Sequence, residues 1–212
     1  MGFMGPERIP LFPLNVVLLP GATLLLHIFE HRYRQMVRRC VEDQCEFGIL
    51  LAAPKGIVRV GCTAQVTEVT KRYNDGRMDI VTVGRSPFRI TQLLNPNDYA
   101  DDQLLEGEVD FLDDRDTRID ARMQKELLRL YEVCHTLLFD DYPHNVTTED
   151  AESLSFLVAS TLPLDLLWKQ QILELRSEND RQERLVGYLR EWAPHLQKVE
   201  KSRARAGGST IN

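Results

Sequence analysis

Three short stretches carry residue types that could do chemistry. The first is "GIVRVGCT", Gly56 to Thr63. Its glycines have the G-x-x-x-x-G spacing of a phosphate-cradling loop. Cys62 stands where the lysine that reaches the β and γ phosphates belongs, and the interior Ile-Val-Arg-Val favours a strand. Strand entry is expected here, not a nucleotide site. The second is "GRSPF", Gly84 to Phe88, which begins like the nucleophile elbow G-x-S-x-G but closes on Phe88. A Ser86 or Cys62 nucleophile would also need a positioned base. The five histidines, His27, His31, His135, His144 and His195, are scattered along the chain. A hydrolase therefore stands only as an alternative without local support. The third is the acid run Asp110, Asp113, Asp114, Asp116 and Asp120. It lacks the glycine and terminal glutamate of a calcium loop and reads as a solvated linker.

The four cysteines, Cys40, Cys45, Cys62 and Cys134, form no CxxC pair and no zinc-type spacing with histidine. Buried reduced thiols are the expectation, and with them a cytoplasmic setting. Asn145-Val146-Thr147 fits a glycosylation sequon that only a secreted chain would use. No catalytic, metal or cofactor residue is assigned, and no cofactor is expected. The net charge of −6, from 26 basic and 32 acidic residues, argues against nucleic acid as a partner. Arg32, Arg34, Arg38 and Arg39 on one helix flank, with the basic tail, are the features that favour it. They lack the aromatic stacking partners of an RNA site.

The elements that must position these residues divide into two textures. Residues 1–115 read as strand-rich. The opening run "IPLFPLNVVLLPGATLLLHIFEHRY" is apolar, but Pro10, Pro13 and Pro20 break it. A spanning helix needs about 20 uninterrupted apolar residues, and a secretory signal needs a basic start and an unbroken apolar region. Neither fits, so no membrane role is expected. Short buried strands do fit, "VVLL" and "TLLLHIF", separated by the Pro20-Gly21 turn. Tyr33, Met36, Val37, Cys40 and Val41 repeat as one apolar helix face, with Glu30 one turn before Arg34. "CEFGILLAA" reads as another strand. Cys62, Ala64 and Val66 alternate with Thr63, Gln65 and Thr67 in a strand, and Asn74-Asp75-Gly76 turns the chain back. "PFRITQLL" and "LLEGEVDF" follow as strands.

Residues 116–200 read as helical. Ile119, Met123, Leu127, Leu130, Cys134 and Leu137 form a stripe. Thr147 or Thr148 is a candidate cap for a second helix carrying Leu154, Leu157 and Val158, which stops near Pro163. Trp168, Ile172 and Leu175 mark a third helix. Asp180 with Glu183 would cap a fourth, carrying Leu185, Tyr188, Leu189 and Trp192. The polar stretch 201–212 is expected to be a disordered tail.

The pattern P-L-F-P-L, V, P-G, L-x-I-F-E-x-R-Y is carried by Pro10 to Leu14, Val17, Pro20, Gly21, Leu26, Ile28, Phe29, Glu30, Arg32 and Tyr33. It resembles the start of the Lon protease N-terminal, substrate-binding domain family. "FGILL", "VGCTAQVTEV" with its "DGR" turn, and "LPLDLLWKQQILEL" followed by Arg184-Leu185 extend the resemblance over nearly the whole chain. Pro87 stands where the family usually has an arginine, so a contact made by that arginine is not carried over. The resemblance implies an α+β fold: a PUA-like β pseudo-barrel of about six strands with one or two short helices, followed by an α-helical bundle. Prolines at its edges and bulges would be tolerated. Neither the ATPase module nor the Ser-Lys peptidase of a full Lon protease is recognisable. A stand-alone, non-catalytic binding protein is therefore expected, for which a peptidase name would rest on family resemblance only.

Its expected partners are a peptide, an unfolded protein segment or a partner protein; an RNA-binding PUA-like module is the alternative. The motive lies in the strand Thr23 to Phe29. Leu24, Leu26 and Ile28 form one face, and Leu25, His27 and Phe29 the other. One face should fill the barrel. The other packs inside the chain or, if left uncovered, meets a partner. His27, Phe29, Arg32 and Tyr33 are the candidate contact residues.

Overall fold

A computed structural model describes residues 7–53, 56–94, 103–115, 119–141, 143 and 154–207. Asp116, His144, Thr147, Thr148 and the Asn145 sequon lie outside the described residues. In chain order the elements are β1 (Glu7–Leu14), β2 (Thr23–Ile28), α1 (His31–Asp43), β3 (Phe47–Ala53), β4 (Gly56–Arg72), β5 (Met78–Leu94), β6 (Glu106–Phe111), α2 (Ala121–Phe139), α3 (Leu154–Thr161), α4 (Leu166–Glu174) and α5 (Glu178–Gly207). They form two compact units. The first comprises Met1–Asp113 and Pro163–Glu174, and the second Asp114–Leu162 and Leu175–Asn212. The third expected helix, α4, thus belongs to the strand-rich unit rather than to the helical one.

In the first unit the strand order is β2-β5-β4-β3-β1-β6, and β6 pairs back onto β5. β1 and β3 are parallel, and the other pairs are antiparallel. β5 makes the closure. Its first half, Met78 to Val83, pairs with β2, and its second half, Phe88 to Leu94, pairs with β6. The ring β5-β4-β3-β1-β6 therefore closes without β2, which among the described residues pairs with β5 alone. "PFRITQLL" is not a separate strand but the far half of β5. Pro87 sits where the β4–β5 register shifts, between Cys62 and Ala64. A bulge tolerates the missing N–H.

Two expectations of detail change. Pro10 and Pro13 lie within β1, and "VVLL" is a buried connection, not a strand: Val17, Leu18 and Leu19 are buried. It packs so closely that a Cβ on Gly84 would lie 2.2 Å from the Leu19 carbonyl oxygen. In β4, alternation gives way to continuous burial from Val60 to Ala64. The outward side of this stretch is covered as well, because Gln170 of α4 donates to the Val60 carbonyl at 3.0 Å.

Inside the ring, Ile9, Leu11, Leu50, Phe88, Ile90, Leu105 and Val109 form the core. The Phe88 ring lies against bare backbone. A Cβ on Gly48 would stand 2.6 Å from it, and one on Gly61 2.8 Å from it and 2.3 Å from the Ile49 carbonyl oxygen. Outside the ring, α1 buries Tyr33, Met36, Val37 and Cys40, the expected face. Phe12 stacks on Tyr33 at 3.8 Å between ring centroids.

In the second unit α2 packs along α5. Leu127, Leu130, Tyr131 and Cys134 are buried on α2, and Leu185, Val186 and Leu189 on α5. Glu126 joins the two helices, accepting from Arg129 at 3.0 Å and Arg190 at 3.3 Å. The acid run is not merely a solvated linker. Asp120 caps α2, accepting from the Arg122 and Met123 backbone N–H groups at 2.8 and 3.4 Å. Asp114 is tied to Arg181 by two bonds of 2.8 and 2.5 Å. Ser177, not Asp180, caps α5: its hydroxyl accepts from the Asp180 N–H at 3.4 Å. α5 continues through Pro194 to Gly207, so the expected tail is helical for its first seven residues. Alanine, lysine and arginine in this stretch are good helix formers.

Arg181 is 1% exposed, and every nitrogen of its guanidinium is used. Besides Asp114, it donates to Glu178 at 2.8 Å, Ser155 at 2.8 Å and the Leu175 carbonyl at 3.1 Å, and it lies over the Phe156 ring at 4.2 Å. Glu178 is buried with it and also accepts from the Ser155 hydroxyl and backbone N–H and from Gln182. One forked side chain thus joins the start of the unit, α3 and α5.

Two substitutions test this packing. Gly61→Ala places a methyl against the Ile49 carbonyl, where strand backbone cannot swing aside. Its cost is at least about 1–3 kcal/mol, read as a lower denaturation midpoint; an unchanged midpoint would refute the close approach. Arg181→Lys keeps the charge but loses the fork and should destabilise by about 1–3 kcal/mol, because a single ammonium cannot replace the bonds that the guanidinium makes to Asp114, Ser155 and the Leu175 carbonyl. Wild-type stability in that variant would show that the fork is dispensable.

Candidate functional site

β2 holds the face singled out in the sequence. Its inward row, Leu24, Leu26 and Ile28, is half-buried to buried. The outward row is left uncovered: Leu25 is 72% exposed, His27 is exposed and Phe29 is 60% exposed. Internal packing does not absorb them. Beside them lies a concavity of about 730 Å³, lined by Leu26, His27, Phe29 and Arg32 together with Leu14, Ile57 and Leu93.

The four candidate contact residues come together around this concavity in different states. Phe29 presents its ring to solvent. His27 is clipped in place: its Nδ1 is 2.5 Å from Asp79 Oδ1, and its ring meets Tyr73 edge-on at 5.7 Å and Phe29 at 6.1 Å. Tyr73 donates to the other Asp79 oxygen at 2.8 Å. The His27 hydrogen bond, reinforced by Tyr73, holds the Asp79 carboxyl below its usual range. Arg32 is half-buried and grips Glu30 through Nε at 3.0 Å and Nη2 at 2.8 Å. Glu30 therefore serves Arg32 rather than Arg34. Tyr33 is 5% exposed and belongs to the core, contributing only to the concavity's wall. Arg32 lies 4.9 Å over its ring.

The basic flank of α1 is engaged within its own unit. Arg34 donates to the Asp75 carbonyl at the hairpin turn, and Arg39 pairs with Asp43 at 3.4 Å. Arg38 stays exposed.

The residues that could break bonds form no nucleophile–histidine pair among the described residues. Gly56 to Thr63 is strand β4, not a phosphate loop. Ser86 is an exposed strand residue whose backbone N–H donates to Thr63 Oγ1 at 3.0 Å. Among the described residues, the concavity beside it is lined by no histidine. Cys62 and Cys40 are buried, and burial pushes both thiols up; Cys134 is pushed up to about 11 for the same reason. Protonated thiols are poor nucleophiles and poor ligands. Among the described residues no group of three His, Cys, Asp or Glu side chains is placed to hold a metal. No helix among them is long and apolar enough to cross a membrane.

The first unit is a closed ring of strands with an appended apolar strand, and the second is a set of packed helices. Residues 8–191 match the family described as the "ATP-dependent protease La (LON) substrate-binding domain", and the chain belongs to that family. It is 29% identical over 192 residues to Lon protease 2 of Herpetosiphon aurantiacus, covering 84% of this chain and 23% of that protein. To Lon protease 2 of Syntrophobacter fumaroxidans it is 25% identical over 209 residues, covering 92% and 25%. The chain thus spans about a quarter of the length of these curated relatives. Among solved structures, a Lon N-terminal domain protein from Xanthomonas campestris superposes with a TM-score of 0.67 at 27% identity, covering 86% of this chain and 98% of that one. The N-terminal domain of Mycobacterium avium complex Lon protease superposes at 0.64 with 15% identity and the same coverage, a likeness of fold. The α+β barrel-and-bundle fold expected from the sequence is the one found.

What the sequence did not single out is the His27–Asp79–Tyr73 clip, whose members lie on two strands and a turn. The clip carries a pH dependence. Asp79 has a lowered pKa, so its contribution is fully present above the ordinary value of 3.8 and is lost as pH falls through the lowered one. Carboxyl NMR should show an Asp79 midpoint below 3.8 that rises in His27→Gln. A midpoint unmoved by that substitution would remove His27 as the cause.

Proposed function

We propose that this chain binds exposed apolar segments of peptides or unfolded proteins through the face built by β2 and the start of α1, and that it does so without catalysis of its own. The observation that carries the reading is the uncovered row of Leu25 and Phe29 beside a concavity with further apolar walls. Burying a phenylalanine contributes about 1.5–3 kcal/mol, which suits a partner that offers apolar side chains. The His27–Asp79 clip and the Arg32–Glu30 fork hold the rim, so that little side-chain freedom is lost on binding. The relatives' name, Lon protease, and the family's description as a substrate-binding domain support this reading, and a role in protein quality control follows from it. Raised pKa values of the buried thiols and, among the described residues, no histidine in the concavity beside Ser86 support the non-catalytic part. Free reduced cysteines suit a cytoplasmic setting.

RNA binding finds less support. The arginines of α1 that would meet phosphates are largely committed to Glu30, Asp75 and Asp43.

The test is binding of a reduced, alkylated, permanently unfolded protein. Wild-type chain should bind at micromolar concentration, and Phe29→Ala should weaken binding about tenfold, the equivalent of 1.4 kcal/mol. Absence of binding by the wild-type chain, or equal binding by the variant, would overturn the proposal.

A further inference from the structure

We infer that β2 captures its partner by strand addition: an extended polypeptide segment pairs, main chain to main chain, with the free edge of β2. This rests on the peptide-binding reading above and says how the same face would recognise its ligand.

Three observations carry it. First, β2 has an open side. Among the described residues it pairs with β5 alone, because β5 and β6 close the ring without it. Second, the direction of its backbone groups can be worked out. The Gly84 N–H donates to the Ala22 carbonyl at 2.9 Å, and Thr82 Oγ1 donates to the Leu24 carbonyl at 3.0 Å. On the other side of β5, the Val81 and Asp79 carbonyls face β4, where they accept from Thr67 and Thr70. Backbone groups alternate sides along a strand. The even residues of β5 therefore serve β2, and Leu24, Leu26 and Ile28 are their partners. The N–H and C=O groups of Thr23, Leu25 and His27 point to the open side. Third, the edge is unguarded. Sheet edges are usually blunted by lysine, proline, a bulge or a cover. "TLLLHI" contains neither lysine nor proline, and its pairing with β5 runs through six consecutive residues without a shift.

An unpaired row of donors and acceptors is complementary to another extended main chain, which makes a strand the occupant this edge fits. Apolar side chains on alternate positions of that strand would lie beside Leu25 and Phe29 on one face. On the other face they would lie beside Leu26 and the concavity walls of Leu14, Ile57 and Leu93. Recognition would then read backbone plus an alternating apolar pattern rather than a fixed sequence, as suits unfolded segments of many proteins. Arg59, exposed on the concavity rim, favours an acidic residue at the segment's end.

The test uses a capped decapeptide with valine or phenylalanine at alternate positions, serine or threonine between them, and aspartate at both ends. Its twin carries N-methyl groups on alternate amides along one edge, which deletes donors and leaves the side chains. Titration of the full chain by fluorescence anisotropy should show the parent peptide binding and the twin at least tenfold weaker. Leu25→Pro removes an outward N–H without touching the β5 ladder, and it should weaken the parent peptide at least tenfold. Leu25→Ala, which keeps that N–H, should weaken it less. If Leu25→Pro fails to fold, by circular dichroism, the two peptides on the wild-type chain still decide. Equal affinity for both peptides overturns strand addition while leaving apolar binding intact. So does a failure of the peptide with continued binding of the alkylated unfolded protein. Loss of the unfolded protein as well defeats the earlier reading. A dimer of the chain that Leu25→Pro dissolves would make a second copy the occupant and overturn the inference.

Discussion

The first unit is organised by an aromatic ring pressed against bare backbone. Phe88 enters the barrel where Gly48 and Gly61 carry no side chains, and Leu11 and Leu50 pack around it. A small ring of strands has little interior volume, so one large side chain needs glycines opposite to fit. Phe88 also lies at the point in β5 where pairing passes from β2 to β6. The near half of β5 is left to hold β2 outside the ring, and the far half closes it. The free edge of β2 and its exposed row are thus consequences of how the core is filled.

The second unit is organised by the opposite kind of interaction. Beside the apolar packing of α2 along α5, its interior contains a guanidinium whose charge several segments serve. Glu178 and Asp114 neutralise it, Ser155 and the Leu175 carbonyl complete its hydrogen bonds, and Phe156 covers its face. Such a cluster contributes less to net stability than apolar packing would, since desolvation offsets much of the attraction. It does fix one arrangement of the segments it joins, because a fork with every donor used admits few alternatives.

The proposed binding role agrees with the disposition of the chain's reactive groups. Cys40, Cys62 and Cys134 are buried with thiol pKa values pushed up, Ser86 lies on a strand with its backbone N–H committed to Thr63, and His27 and Arg32 beside the exposed row are held in local pairs. Along β2, what is left exposed among the described residues is chiefly apolar side chain and one edge of main chain. Those are the two features that an unfolded polypeptide offers and that a folded one hides.

Much of this was legible in the residues alone. The period of Tyr33, Met36, Val37 and Cys40 determined α1, because a helix has one face to bury. Asn74-Asp75-Gly76 determined the hairpin, because Gly76 takes a φ of +86° there. The opening motif determined the family, and the two-faced apolar pattern of Leu24 to Phe29 marked the strand that matters. Local pattern could not say which partner covers a face. Continuous burial in β4 depends on α4, more than a hundred residues away, and the exposure of Leu25 and Phe29 depends on a closure made by β5 and β6. Asp114 and Asp120 looked like members of a solvated run; Arg181 and the α2 N–H groups gave them separate tasks. Periodicity and turn chemistry act between neighbours in the chain, and so the sequence by itself determined the elements. Pairing, closure and charge neutralisation act between residues distant in the chain, and so only the tertiary structure decided which edge stayed open.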